Sequence, residues 1–337
     1  MTLLYFILIL GITICIHEFG HFLFAKKSGI YCYEFSIGMG PRILKFRRKN
    51  DETEYSLRLF PIGGYVSMAG EQVEVDPDIP KEKLMNNRPW IQRFLTVAAG
   101  VLFNFILAIV LLFIVGLVKG VPNYHPVIGE VVVDSPAYKA GVKDGSTITA
   151  INGKKTNSFD KFILEYQVYN GKELVLETDK GTYKVKPIKE NDNYVYGLKM
   201  DSSVKTGILN AIEYSFTKFF SLMGQMIMII WYLITGNLGL DSLAGPVGIY
   251  NIVGQSSQAG FINLVYLTAL LCINVGFLNL LPIPAFDGCR LLFLLIEKIK
   301  GSPVDPKIEN RIHSVGLILL IILMIVITFN DIHRLIR

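Results

Sequence analysis

Close to the end of its first apolar segment the chain reads His17-Glu18-Phe19-Gly20-His21. Two histidines four residues apart share one face of a helix, so both imidazoles can bind one metal ion. Glu18 then stands beside that ion, where its carboxylate can take a proton from water that the metal activates. The chemistry this suggests is metal-assisted hydrolysis. A polar cluster that merely packs helices together is the competing account, and the apolar setting weighs against it. A charged side chain at the centre of a bilayer costs ~2.5–3.5 kcal/mol. Three ionisable groups together call for a compensating cation, and Zn2+ provides one.

A catalytic zinc takes three protein ligands and keeps one position open. The remaining histidines, His125, His313 and His333, are poorly placed along the chain to complete the set. Asp287, in "NLLPIPAFDGCR", is the best carboxylate. Pro282 and Pro284 break the helix before it, and Gly288 permits a tight turn after it. Irregular backbone at membrane depth is tolerated only inside protein or beside a wet cavity, so the break itself marks a site.

The elements that position these residues are membrane elements. The 337 residues are 51% hydrophobic and 18% charged, which points to a membrane protein. Residues 3–24, 94–118 and 261–281 each reach the ~20 apolar residues that a spanning helix needs. Ile312 to Phe329 is just sufficient, and the run Phe219 to Thr235 is shorter. The first segment lacks the basic start and small-residue cleavage site of a signal peptide. Lys26 and Lys27 follow it, and all ten arginines fall within 42–93 or 290–337. Both facts place the amino terminus outside and residue 26 onward in the cytosol. With four spans, the first and third both run inward, and Asp287 meets His17 and His21 on the cytosolic side. A fifth crossing at 219–235 would separate them, so that run is expected to lie along the membrane surface. The net charge of +5 reads as topology and membrane surface. No basic face with interleaved aromatics is present, so nucleic acid is not an expected partner. None of the four cysteines lies in the outer segment, which excludes a disulfide framework there.

The fold class expected is therefore a polytopic α-helical membrane protein with four spans, a small cytosolic β-hairpin region and an inserted α+β domain. Its expected parts are a first span at 1–25, β-like runs at 26–93, a second span at 94–118 and the outer domain at 121–200. An amphipathic interfacial helix and the "GPVGI" segment follow at 205–258, then a third span at 259–297 and a fourth at 308–331. A polar linker, "VEVDPDIPKEKLMNNRP", precedes the second span. The outer segment resembles a bacterial PDZ domain in "VIGEV", "SPAYKAGVKDG" and "ITAING", with Gly145-Ser146 where that family usually has Gly-Asp. Such a domain implies a peptide or carboxyl terminus as a partner, added as a strand.

The whole chain resembles the site-2 proteases, intramembrane zinc metalloproteases. It is closest to the bacterial branch that carries one PDZ domain and activates sigma factors by cutting membrane-bound anti-sigma factors. The matching stretches are "HEFGHF", "FSIGMGPRI", "LFPIGGYVSMAGE", "AAGVLFNF", "AGPVGI" and "NLLPIPAFDG". The resemblance implies zinc ligands His17, His21 and Asp287, with Glu18 as the catalytic acid/base. It implies substrate contacts from Gly63, Gly64 and Tyr65 in one loop, and from Asn279, Pro282 and Pro284. It also implies transmembrane-helix substrates, either trimmed anti-sigma factors or leftover signal peptides, and a place in the bacterial cytoplasmic membrane.

An unwound substrate segment needs new hydrogen-bond partners, and an edge strand from 31–68 can supply them. Asn279 either bonds that segment or caps and packs a helix. Asn104 in "GVLFN" reads as a helix-packing residue, beside Gly100, which lets a neighbouring helix approach. Cys289 stands where the family commonly has glycine. It either adds a thiol near the metal or packs as a small apolar residue. Two other function classes remain in view. A PDZ-bearing scaffold would need neither His17, Glu18 and His21 nor Asp287. A metal transporter would show internal repeats and a polar path through the full membrane, and neither is evident.

Overall fold

The computed structural model describes residues 1–71, 78–156, 158–190, 193–239 and 242–336, so residues 73–77 of the expected linker lie outside the described residues. The chain divides into two compact units, Met1–Leu111 with Leu240–Arg337, and Leu112–Gly239.

The first unit opens with α1 (Thr2–Lys27), apolar along its length and ending in Lys26 and Lys27, which suit the negative end of a helix. Strands β1 (Cys32–Arg47) and β2 (Glu54–Met68) follow, each long and bent. Residues Glu34 to Ile37 pair both with Glu54 to Leu57 and with Gly64 to Ser67, while Arg42 to Arg47 pair with Glu54 to Arg58. Two strands thus make a four-lane sheet with residues 64–68 along one edge. Glu34 anchors it. Its carboxylate takes hydrogen bonds from Ser56, Tyr65 and Arg58 and pairs with Arg42. Burial opposes the charged form, but these bonds outweigh it and hold the pKa at about 2. Then comes α2 (Trp90–Lys119), which packs tightly on α1. A side chain at Gly20 would meet the Ala99 carbonyl at 2.4 Å.

The second unit is mostly short strands. In chain order they are β3 (Val121–Pro122), β4 (Ile128–Val131), α3 (Pro136–Lys139), β5 (Ile148–Ile151), β6 (Lys154–Lys155), α4 (Phe159–Val168), β7 (Leu174–Thr178), β8 (Gly181–Val185), β9 (Ile188–Glu190), β10 (Asn193–Val195), β11 (Leu198–Met200) and β12 (Val204–Lys205). Four of them form a sheet in the order β6-β5-β7-β8, and β11 pairs with β4. Ile128, Ile148, Ile151, Phe162, Leu174 and Leu176 fill the core between them. At the unusual Gly145-Ser146 step, Gly145 takes φ +67°, and the buried Ser146 hydroxyl donates to the Lys143 carbonyl at 2.7 Å. Serine therefore closes the turn itself.

The long helix α5 (Ile208–Ile234) belongs to this unit. Lys218 and Ser221 both bind the Asp160 carboxylate, Gln225 donates to the Asp160 carbonyl, and Tyr232 donates to the fully buried Glu165. Lys154 completes that cluster, 2.7 Å from the Tyr232 hydroxyl. Positions 218, 221, 225 and 232 share one helix face. On the opposite face Leu209, Ile212, Phe216, Phe220, Ile227, Trp231 and Ile234 are exposed.

Back in the first unit are α6 (Pro246–Gln258), α7 (Phe261–Leu280), α8 (Asp287–Lys300) and α9 (Pro306–Ile336). The third expected span, 259–297, is thus two helices, because Pro282 and Pro284 cannot continue α7. The "AGPVGI" motif has a plain cause. Buried Asp331 of α9 accepts the Gly248 N–H at 2.8 Å, capping α6 from outside, and a side chain at Gly245 would lie 2.8 Å from the same oxygen. Helices α1 and α7 run in the same direction. Ile9 clusters with Leu264, Leu267 and Leu271, Thr13 meets Cys272 at 3.7 Å, and His17 meets Asp287. Five helices among the described residues are long and apolar enough to cross a membrane: α1, α2, α5, α7 and, within α9, Lys307–Arg334. The chain is a multi-pass membrane protein.

Candidate metal centre

Helix α1 presents His17 and His21 one turn apart, and the break after α7 brings Asp287, first residue of α8, against them. His17 Nε2 lies 2.9 Å and His21 Nε2 3.1 Å from Asp287 Oδ2, and the two Nε2 atoms are 3.2 Å apart. All three side chains are largely buried. His21 Nδ1 lies 2.9 Å from the Thr96 carbonyl oxygen, an acceptor only, so Nδ1 carries the proton and Nε2 of the neutral ring is a bare lone pair. That lone pair faces a carboxylate oxygen that is itself buried and without a hydrogen-bond donor. Three ligand atoms converging at these distances fit one shared cation. Zinc bound tetrahedrally at ~2.0–2.1 Å sets its ligands about 3.3 Å apart, close to the observed triangle. Zn2+ therefore fits the donor set, and His17, His21 and Asp287 are the group among the described residues able to hold such an ion.

The surrounding shell comes mainly from α2. The Asn104 amide, fully buried, lies 3.4 Å from His17 Nδ1. Its two heavy atoms exchange by a half turn. The orientation that presents oxygen to His17 Nδ1–H also gives that buried oxygen a partner. Both histidines thus have their second nitrogen engaged by α2, which fixes ring orientation. Gly100 leaves the room for this. A side chain there would stand 2.4 Å from His21 Nε2 and 2.8 Å from His17 Cε1. The sequence marked Gly100 and Asn104 as packing residues. Their bearing on the metal ligands depends on how α2 crosses α1, and the Thr96 carbonyl carried no sequence signal at all.

Glu18 lines the same cavity of about 270 Å³ as the two histidines, Asp287 and Asn279. Its carboxylate accepts the Val66 backbone N–H from the sheet edge. Gly64 is beside it: a Cβ there would lie 3.9 Å from Glu18 Cγ. Asn279 sits in the last turn of α7, which rules out the helix-start cap. The expected contact residues separate in space. Gly63 packs near Met39 and Ile14, and the Tyr65 side chain is drawn into the Glu34–Arg58 network rather than the cavity. Pro282 is exposed, and Pro284 packs on Gly316 of α9. In that turn Ala285 lines the cavity. It holds φ +76°, a conformation costing a side-chain-bearing residue roughly 1–2 kcal/mol. Gly288 has no room for a side chain, since a Cβ would meet the Leu281 carbonyl at 2.2 Å. Cys289 is buried and lies outside the ligand group. Arg290 also lines the cavity. It is ion-paired with Glu71.

Comparisons with known proteins agree with this geometry. Residues 5–323 match the family described as Peptidase family M50. The zinc metalloprotease RasP of Bacillus licheniformis is 35% identical over 418 aligned positions, covering 99% of each chain. The regulator of sigma-W protease RasP of Bacillus subtilis is 32% identical, again with 99% of each chain covered. A putative zinc metalloprotease of Clostridium acetobutylicum is 34% identical over 97% of this chain and 96% of its own. With its full-length similarity to these enzymes and a donor set built for zinc, the chain belongs to peptidase family M50 and is an intramembrane zinc metalloprotease of the site-2 type.

Proposed function

We propose that His17, His21 and Asp287 hold the zinc and that Glu18 is the catalytic acid/base for cleavage of transmembrane segments. The observation that carries this is the convergence of three ligand atoms, all within 4.8 Å of one another, beside a carboxylate in one cavity. Bound zinc supplies Lewis acidity toward water and the scissile carbonyl. Glu18, held by the Val66 N–H, takes the proton of the attacking water and passes it to the leaving amine. The edge at residues 64–68 runs beside Glu18 and offers backbone groups to an unwound substrate. Asn279, across the cavity, has a donor and an acceptor for the same strand. As a test, the purified chain in liposomes with a single-span substrate is expected to cleave it, to stop on zinc chelation and to recover when zinc is restored. Undiminished cleavage by the metal-free protein would overturn the assignment.

We further infer four spans, with α5 lying in the membrane surface. Two observations support this. The polar face of α5 is taken up by Asp160 and Glu165, leaving only one apolar face for lipid. The parallel course of α1 and α7 also allows only an odd number of crossings between them, which α2 alone supplies. In this topology the amino terminus and residues 121–200 are outside, and the metal lies toward the cytosol. Impermeant thiol reagents applied outside should then label single cysteines placed at Asn210 and at Asn237 alike, in a cysteine-free background. Labelling of only one would make α5 a span. The outer unit is read as a PDZ domain on its strand-helix order, and it either binds a substrate terminus or excludes untrimmed substrates. Similarity to a regulator of sigma-W protease favours a trimmed anti-sigma factor as substrate, with remnant signal peptides as the other class.

A further inference from the structure

The turn that aims Asp287 closes through the Phe286 N–H, which donates to the Ile283 carbonyl at 3.2 Å, but it holds a strained residue. Between α7 and α8 the chain passes through Pro282, Pro284 and Ala285, and Ala285 sits in the left-handed region that suits glycine. A residue in that region persists when its surroundings over-determine it. Two contacts from α9 do so. The Ala285 N–H donates to His313 Nδ1 at 3.1 Å. One turn further along, Gly316 receives Pro284, with no room for a side chain of its own, because a Cβ would lie 2.1 Å from Pro284 Cβ. Positions 313 and 316 share a helix face, so α9 grips the turn at two successive residues. The His313 ring is held in turn by Phe293 of α8, edge to face at 6.1 Å.

We propose that His313 is a positioning residue for the metal centre: its Nδ1 lone pair holds the Ala285 turn and so places the Asp287 carboxylate against His17 and His21. This rests on the ligand set proposed above. Because Nδ1 accepts, the ring proton is on Nε2, which is buried without a hydrogen-bond partner and 4.0 Å from the Glu309 carboxylate. His313 touches neither substrate nor metal. It acts two residues before the ligand, through backbone.

The chemistry gives a discriminating pair of variants. An asparagine carries its oxygen on the same carbon that bears Nδ1, and that oxygen accepts the Ala285 N–H. A glutamine instead reaches the Nε2 position. Zinc affinity of the purified protein, measured by competition with a chromophoric chelator, is the primary readout, with kcat and KM for a single-span substrate beside it. His313→Asn is expected to stay within about 3-fold of the parent. His313→Gln and His313→Phe should bind zinc about 10- to 100-fold more weakly, the range seen when a ligand's outer partner is lost, with kcat falling and KM unchanged. Parental zinc affinity in all three variants would overturn the proposal. So would rescue by glutamine but not asparagine, which would assign the role to Nε2. Equal loss in all three, with a matching drop in the thermal stability of the metal-free protein, would reduce His313 to general packing. A direct probe separates this from failure of the ligand assignment: if Asp287→Ala keeps parental zinc affinity, the ligand set is wrong, whatever His313 does.

Discussion

Glu18→Gln is expected to keep its zinc and to lose about 10²- to 10⁴-fold in cleavage rate, the usual contribution of a positioned acid/base. Glutamine has the same shape and can still accept the Val66 N–H that holds Glu18, so the cavity should not rearrange. It cannot take a proton from water or return one to the leaving amine. Glu18 is also outside the triangle of His17, His21 and Asp287, so metal content should not change. Asp287→Asn makes the contrast, since it removes the anionic ligand and should lose zinc and activity together. Metal analysis of both purified variants, with cleavage of a single-span substrate, separates the two roles. Substantial cleavage by Glu18→Gln would remove Glu18 from the mechanism.

Gly100→Ala should also be damaging, although glycine has no chemistry of its own. The added methyl would stand 2.4 Å from His21 Nε2 and 2.8 Å from His17 Cε1. The competing accommodations are poor. The His21 ring cannot rotate away without leaving the Thr96 carbonyl, and α2 cannot retreat without opening its contact with α1 at Gly20 and Ala99. Overpacking of this kind costs about 1–3 kcal/mol, which corresponds to roughly 5- to 150-fold in zinc affinity, with cleavage falling at least in step. Gly224→Ala is the control, because a side chain there meets nothing within 4 Å, and alanine is the better helix former. Parental zinc affinity in Gly100→Ala would mean that α2 does not shape the site.

Much of the metal centre was legible because its signals are local. The i, i+4 spacing of His17 and His21 is a property of any helix, and two prolines before Asp287 announce a break wherever the chain goes. Asn104 was legible only as a polar residue beside a small one, and His313 only as a histidine flanking the last span. Their partners are 87 and 28 residues away, and no periodicity links them. Tyr65 shows the reverse case. The loop passes Glu18 at Gly64, but strand alternation turns the tyrosine to the other side of the sheet, where Glu34 takes it.

The sequence by itself determined the membrane setting, the helical spacing of the two histidines with the acid between them, and the break before Asp287. Those follow from composition, helical spacing and the cost of burying charge. Only the tertiary structure decided how the ligands are held: which nitrogen of His21 is free, why Gly100 must be glycine, and that the last helix grips the Ala285 turn. The physical reason is range. Hydrogen bonds and steric limits between helices depend on crossing geometry, and a linear pattern does not encode where one helix meets another.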